Sequence, residues 1–252
     1  MNPVRKSSRG TLVVGLACLV AAACYLWGYQ TIQFWRFRSR ANNAPILWIT
    51  PQPLSIKDAN LAAGSKLVQG DLEFEVPWTD LEHKNETKGE ILSASGFVFG
   101  NGVGISVLAG KRSGLISELE GQRAGFTARL EPILGAKAIQ SDFALTKAIL
   151  EATPKNLRPW TSRREAMQIS TLLNIKSSII YDGGTGIFMV GTVDWSGYQF
   201  DDPARNPKHI RLELYGPQDR YLQIIFTVKK DSTVRITQKD LNRVLTTLRV
   251  TT

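Results

Sequence analysis

The stretch EILSASGFVFGNGVGISVL, residues 90–108, decides the fold class of this chain. Two runs rich in apolar side chains, 90–99 and 103–108, lie on either side of the pair Asn101-Gly102. An Asn-Gly pair is the strongest short signal for a β-hairpin, because both residues tolerate the positive φ of a two-residue turn. The sequence therefore predicts two antiparallel strands joined by a tight turn.

Another strand is predicted before this hairpin. Residues 72–76, Leu-Glu-Phe-Glu-Val, alternate apolar and charged side chains and are followed by Pro77, a pattern typical of a half-buried strand. Glu73 and Glu75 would then lie on one face of the strand, about 7 Å apart, within the range of a general acid and base acting on one substrate. The same pattern also describes a solvated strand face with Phe74 on the opposite side.

The middle of the chain has two helix signals. Ser141 precedes the run 143–152, which ends before Pro154. Ser162 and Glu165 have the spacing of a capping box and begin a second helix. The apolar stripe of this second helix consists of Ala166, Ile169, Leu172 and Leu173.

Strand signals return in the last third of the chain, at 187–193, 210–215 and 221–228, and a final helix begins at Thr237. Because the strands come in groups and do not alternate with helices, the pattern favours the α+β class. We predict one mainly antiparallel sheet packed with about three helices, forming a single globular domain over residues 66–252.

In the order of its elements the domain resembles the PsbP/Mog1-like α+β sandwich. The resemblance rests on the strand LEFEVPW, residues 72–78, followed by a hairpin, central helices and a late antiparallel pair closed by a helix. It transfers no site residue. What it implies is an accessory or binding role, in bacterial proteins that are anchored to a membrane.

A membrane anchor is predicted near the N-terminus. No charged residue occurs from Thr11 to Trp35, and a helix of that length measures roughly 37 Å, more than the ~30 Å hydrocarbon core of a bilayer. Aromatic and basic residues at its end are typical of the head-group region. The predicted membrane-interface residues are Tyr25, Trp27, Trp35, Arg36, Arg38 and Arg40.

The anchor defines the predicted domain plan: a basic tail over 1–10, a transmembrane helix over 11–35, and a basic stop and proline-containing linker over 36–65. Two alternatives to an uncleaved anchor stay open. The segment could be a cleaved secretory signal, or residues 20–24 could be a lipobox that leads to acylation of Cys24.

A short N-terminal tail usually stays in the cytoplasm, so we expect a single-pass protein whose domain lies outside, on the periplasmic side of a bacterial envelope. The basic residues on the two sides of the anchor are equal in number, which leaves its orientation open.

The net charge of +9 is concentrated around this anchor. Residues 1–40 contain six basic residues and no acid, so the rest of the chain, with 25 basic and 22 acidic residues, carries only +3. Basic residues beside an apolar helix favour anionic lipid head groups. A domain charge of +3 argues against a nucleic-acid partner.

The residue inventory excludes several chemistries. Both cysteines, Cys18 and Cys24, lie in the predicted anchor, and the only histidines are His83 and His209. A zinc site of ordinary type and a thiolate nucleophile are therefore not expected in the domain. The glycine clusters 100–104 and 182–186 lead into strands and lack the Lys-Ser/Thr of a phosphate-binding loop. We expect no cofactor.

The most distinctive local composition lies between Val193 and Asp202, where Trp195, Tyr198 and Phe200 fall within six positions. Aromatic loops are frequent contact surfaces, so we predict these three as contacts for a protein partner; packing on the domain's own core is the alternative.

The sequence favours a membrane-anchored, non-enzymatic binding or accessory domain at the cell envelope. A hydrolase that uses acidic residues such as Glu73 and Glu75 is the alternative function.

Overall fold

The computed structural model describes residues 35, 38–39, 44–89, 92–111, 120–121, 124–158, 161–180 and 186–251. These residues form two β-sheets and four α-helices. The predicted α+β class is confirmed.

The larger sheet has eight strands. They are β1 (Gln52–Pro53), β4 (Leu81–Lys88), β5 (Leu92–Phe99), β6 (Val103–Lys111), β7 (Ile187–Gly191), β8 (Ser196–Phe200), β9 (His209–Tyr215) and β10 (Arg220–Val228). Their order is β1-β7-β8-β9-β10-β6-β5-β4. Every neighbouring pair is antiparallel except β1 and β7, which are parallel. The predicted hairpin is confirmed as β5 and β6, with Gly102 at a φ of 88° in the turn.

The smaller sheet was not predicted, since a single sheet was expected. It contains β2 (Ser65–Gln69), β3 (Leu72–Val76) and β11 (Arg249–Val250), in the order β11-β3-β2 and all antiparallel. The prediction of one sheet was wrong because β3 pairs with β2 and with the C-terminal strand, 176 residues away along the chain at the Arg249–Glu73 pair. Such distant pairing leaves no local sequence signal.

The four helices are α1 (Phe126–Leu134), α2 (Asp142–Glu151), α3 (Arg163–Ile179) and α4 (Gln238–Thr247). The predicted caps are confirmed at three of them. The Ser141 hydroxyl accepts a hydrogen bond from the Ala144 amide at the start of α2. Capping boxes begin α3 and α4, formed by Ser162 with Glu165 and by Thr237 with Asp240.

The eight-stranded sheet is covered differently on its two faces. One face packs against the smaller sheet and α4, and this main core includes Phe74, Phe97, Ile105, Leu212, Ile224, Phe226, Leu241 and Val244. The opposite face, at the β7 and β8 end, packs against α2 and α3 through a second core that includes Leu150, Leu173, Ile187, Tyr198 and Phe200. A third small cluster joins α1, α2 and α3.

The linker prediction for residues 36–65 is wrong from residue 44 onward. A short 3-10 turn, Pro45–Trp48, buries Ile46 and Leu47 in the second core, and β1 pairs with β7. Farther along, the Asn60 side chain donates to the Asp240 carboxylate of α4 at 2.6 Å. The prolines that suggested a linker keep the regular elements short: Pro45 begins the 3-10 turn and Pro53 ends β1. The apolar residues between them still pack on the domain.

Within the described residues no helix is both long and apolar enough to cross a membrane. The predicted anchor lies outside them except for Trp35, as do the interface residues Tyr25, Trp27, Arg36 and Arg40. Trp35 is 58% exposed, and the Arg38 guanidinium lies 5.9 Å from the centre of its indole ring.

Candidate functional site

The predicted partner contacts are buried, so that prediction is wrong for this fold. Trp195 is 2% exposed, Tyr198 is fully buried and Phe200 is 5% exposed. Trp195 belongs to the main core, and its ring lies so close to Gly216 that an added Cβ there would be 2.7 Å away. Tyr198 and Phe200 lie in the second core, under the helices. The alternative interpretation, that these aromatic side chains pack on the domain's own core, holds because both faces of the sheet are covered at β8.

The acidic pair of β3 is held in ion pairs. The Glu73 carboxylate is buried and contacts the Lys66 ammonium at 2.5 Å and the Arg249 guanidinium, while Glu75 contacts Arg243 of α4 at 2.8 Å. The hydrogen bond from Lys66 lowers the pKa of Glu73 against the opposing effect of burial, and Arg249 lowers it further. A general acid needs a raised pKa. These contacts therefore fit a structural role, in which the pair fastens β2, β11 and α4 to β3.

A second polar group lies on the helical face of the sheet and was not predicted. The His209 imidazole Nδ1 is 3.7 Å from the Asp201 carboxylate, which is longer than a hydrogen bond. Next to it, the Arg211 guanidinium lies 4.1 Å from the centre of the Phe200 ring, and its Nε is 3.3 Å from the Glu213 carboxylate. The alternation of polar and apolar residues along β9 could have indicated that His209, Arg211 and Glu213 lie on one face of the sheet. The Arg211–Glu213 contact is an ion pair on this face, and no described group of three or more His, Cys, Asp or Glu residues has the arrangement of a metal site.

The feature best suited to bind a ligand is an open cleft of about 810 Å³. Four parts of the chain converge on it: Glu120, the start of α2 with the residues just before it, the turn between β7 and β8, and the turn between β9 and β10. Small-molecule and peptide pockets typically have volumes of roughly 300–1,000 Å³. Its principal lining residues are Glu120, Asp142, Phe143, Asp194, Tyr215, Arg220 and Tyr221.

Aromatic rings form the floor of this cleft. The Tyr215 ring centre is 5.6 Å from that of Phe143 and 5.7 Å from that of Tyr221. Behind them the buried Tyr198 ring stacks on Phe143 at 5.9 Å. The Tyr215 hydroxyl shares a hydrogen bond of 2.9 Å with the Thr146 hydroxyl of α2, and burial raises the pKa of Tyr215 well above its usual value. The floor is therefore aromatic and uncharged.

The lining of the cleft is acidic. Glu120, Asp142 and Asp194 contribute carboxylates, and Arg220 is the cation among the lining residues of the described chain. Arg220 is already paired, because its guanidinium donates to the Asp71 carboxylate at 2.6 Å. A negative cleft thus lies on a domain whose overall charge is positive.

Sequence reasoning did not find this cleft. Tyr215 and Tyr221 were recognised only as strand ends, and the start of α2 only through its Ser141 cap. The cleft is built from segments that are distant in the chain: Thr146 of α2 and Tyr215 of β9, whose hydroxyl groups share a hydrogen bond, are 69 residues apart. The available signal was the pair of aromatic residues on either side of the Gly216-Pro217 turn.

Comparison of the chain with protein-family models, with curated proteins and with solved structures found no match. The resemblance to the PsbP/Mog1-like sandwich stays a prediction.

Proposed function

We propose that this chain is a membrane-tethered, non-enzymatic binding domain that engages a protein partner at the cell envelope through the aromatic and acidic cleft. The anchor over residues 11–35 would hold it on the bilayer, with the domain on the periplasmic side. The observation that carries the proposal is the cleft lining: three carboxylates over an aromatic floor, with the cation Arg220 already paired with Asp71.

The chemistry of the cleft favours a basic segment of the partner. Lysine and arginine side chains pair with carboxylates, and their cationic heads are also attracted to the faces of tyrosine and phenylalanine rings. Opposite charge at an open surface chiefly accelerates association and selects the partner. An accessory role of this kind also agrees with what the resemblance to the PsbP/Mog1-like sandwich implies.

The first prediction concerns ligand charge. In zwitterionic lipid nanodiscs, the full chain should bind a fluorescent Arg/Lys-rich peptide and not its Asp/Glu-rich counterpart, with an affinity that falls as salt rises. The double variant Asp142→Asn/Asp194→Asn should weaken binding about tenfold, because each exposed charge pair contributes up to about 1 kcal/mol. Fluorescence anisotropy measures both effects.

The matched control removes two carboxylates elsewhere, in Glu82→Gln/Asp231→Asn. It should leave peptide binding unchanged, because both residues are exposed and neither lines the cleft. If both double variants bound the basic peptide equally weakly, the net charge of the chain would explain the effect, and the proposal would be contradicted. Absence of binding to the basic peptide at physiological salt would do the same.

The second prediction concerns sidedness. A protease added to intact cells with a permeable outer layer should cleave the domain, and inverted inner-membrane vesicles should protect it. Gel analysis with an antibody against the C-terminal part measures this. Cleavage from the cytoplasmic side alone would place the domain in the cytoplasm and contradict an envelope partner, while leaving the charge preference of the cleft to be judged separately.

A further inference from the structure

Half of the eight-stranded sheet has an outer face without charge. On β4, β5, β6 and β10 this face is made by alternate positions of 83–87, 94–98, 104–110 and 223–227, here named the neutral face. None of these positions is Asp, Glu, Lys or Arg, although 21% of the chain is charged. The charged residues of the edge strand, Lys84, Glu86 and Lys88, fall on the opposite side of β4.

The neutral face is open to solvent. Ala94, Ser106 and Thr227 are exposed on it, and α2 and α3 cover the other end of the sheet. At its centre, Asn85, Gly96, Ser106 and Ile225 are cross-strand partners in one row. A Cβ added to Gly96 would meet nothing within 4 Å.

Gly96 is not required by the fold itself. Its φ is not in the left-handed region, and an alanine would fit in the space above it. A glycine inside a strand destabilises it by roughly 0.5–1 kcal/mol and often marks the close approach of another backbone. The position therefore fits a surface that another sheet covers.

The absence of charge decides which occupant the neutral face fits. A nucleic acid or an anionic lipid surface would require basic side chains, and the basic partner proposed for the cleft would find no carboxylate here. A two-fold interface, in contrast, places a patch against its own copy, so that a charge near the two-fold axis would meet a like charge. A neutral face is self-complementary in this respect, and Val98, Leu108 and Ile225 supply apolar contacts for face-to-face sheet packing.

The size of the neutral face is adequate for such a contact. The ranges that define the neutral face are five to seven residues long and project onto roughly 19 by 20 Å, or about 400 Å², with standard strand spacing and rise. Accessible surface follows the side chains and exceeds this projection, so two such faces together reach about the 1,000 Å² at which specific interfaces begin. We propose that a second copy of this chain packs on the neutral face, sheet against sheet, to form a two-fold dimer.

Cysteine crosslinking of the full chain in its membrane tests this. In a background with Cys18→Ser and Cys24→Ser, single cysteines are placed on the neutral face, as Ala94→Cys or Ser106→Cys, and away from it, as Val193→Cys, whose parent residue is fully exposed. A bismaleimide crosslinker, which can join thiols across the roughly 10 Å between packed sheets, should give a homodimer at the two face cysteines and not at the control. Adding Ser106→Lys to Ala94→Cys should lower crosslinking about tenfold by placing lysines near their own copies, whereas Ser106→Thr should not.

Each outcome decides the matter. Crosslinking at the face alone, lost with Ser106→Lys while circular dichroism shows the fold intact, supports the dimer. Equal crosslinking at Val193→Cys would indicate random collision and overturn it, as would no crosslinking, or a crosslink to a different protein. Peptide binding at the cleft is unaffected by these variants, so failure here is separate from failure of the proposed function.

Discussion

Lys176 is the residue whose surroundings differ most from its usual ones. Its side chain is fully buried, and its ammonium donates to three backbone carbonyls, those of Ile49, Leu150 and Ala152, at 2.6–2.8 Å. Two of these carbonyls lie at the C-terminal end of α2, where helix carbonyls lack intrahelical partners and a cation is favourable. The third belongs to the N-terminal segment. One side chain thus joins α2, α3 and the segment before β1.

Burial lowers the pKa of Lys176 to about 8 from an unfolded value of 10.5. Below pH 8 the lysine is protonated in both the folded and the unfolded state. Between pH 8 and 10.5 the unfolded chain holds the extra proton, so the free energy of unfolding rises with pH in this range. Lys176→Met should remove this rise. It should also destabilise the protein at pH 7 by about 1–3 kcal/mol, because three buried acceptors lose their donor. Urea unfolding at pH 7, 8, 9 and 10 measures both effects.

The exposed Lys155 gives the control for this prediction. Lys155→Met should keep the same pH dependence as the parent chain. A pH profile of Lys176→Met that matches the parent would show that the buried amine does not govern the alkaline behaviour. The sequence did contain a signal for Lys176, since it follows Ile169, Leu172 and Leu173 on the apolar stripe of α3, but a lysine at such a position is usually solvated.

At the scale of elements, features with local causes could be predicted. The caps of α2, α3 and α4 and the turn of the β5–β6 hairpin depend on side chains within four positions of each other, and all were found where expected. Strand β4, which contains His83, was not predicted. All its side chains are exposed, so no apolar alternation distinguishes it. Charged residues on an edge strand are a common way to prevent unwanted pairing.

Distant pairing explains the other elements that sequence patterns did not predict. The partners of β3, and the association of Glu73 with Arg249, depend on the last residues of the chain. The cleft likewise depends on the position of α2 over β9 and β10. A residue pattern gives the type of an element, but the element's neighbours are set by which faces remain to be covered after collapse.

At the scale of the whole molecule, the largest difference from expectation is where the domain begins. Residues 44–64 belong to both cores: Ile46 and Leu47 pack under α3, and Leu54 and Ile56 pack against the main core. The segment therefore runs along both sides of the sheet's β1 edge. A segment that packs on the domain from residue 44 onward would hold the domain close to the proposed anchor, and would thus limit the distance at which a proposed partner could be engaged.

Two shortened chains test this boundary. A chain of residues 44–252 should unfold cooperatively, whereas a chain of 66–252 should lose roughly 10–20 °C in Tm or fail to fold. Ile46 and Leu47, each 8% exposed, together contribute about 3–6 kcal/mol by burial, and a domain of this size has only about 5–15 kcal/mol in total. The double variant Ile46→Ala/Leu47→Ala in the full chain should reproduce much of the loss, which separates side-chain packing from chain length. Calorimetry gives the comparison: melting of 66–252 within a few degrees of 44–252 would mean that the segment is a linker after all, and that the two cores are complete without it.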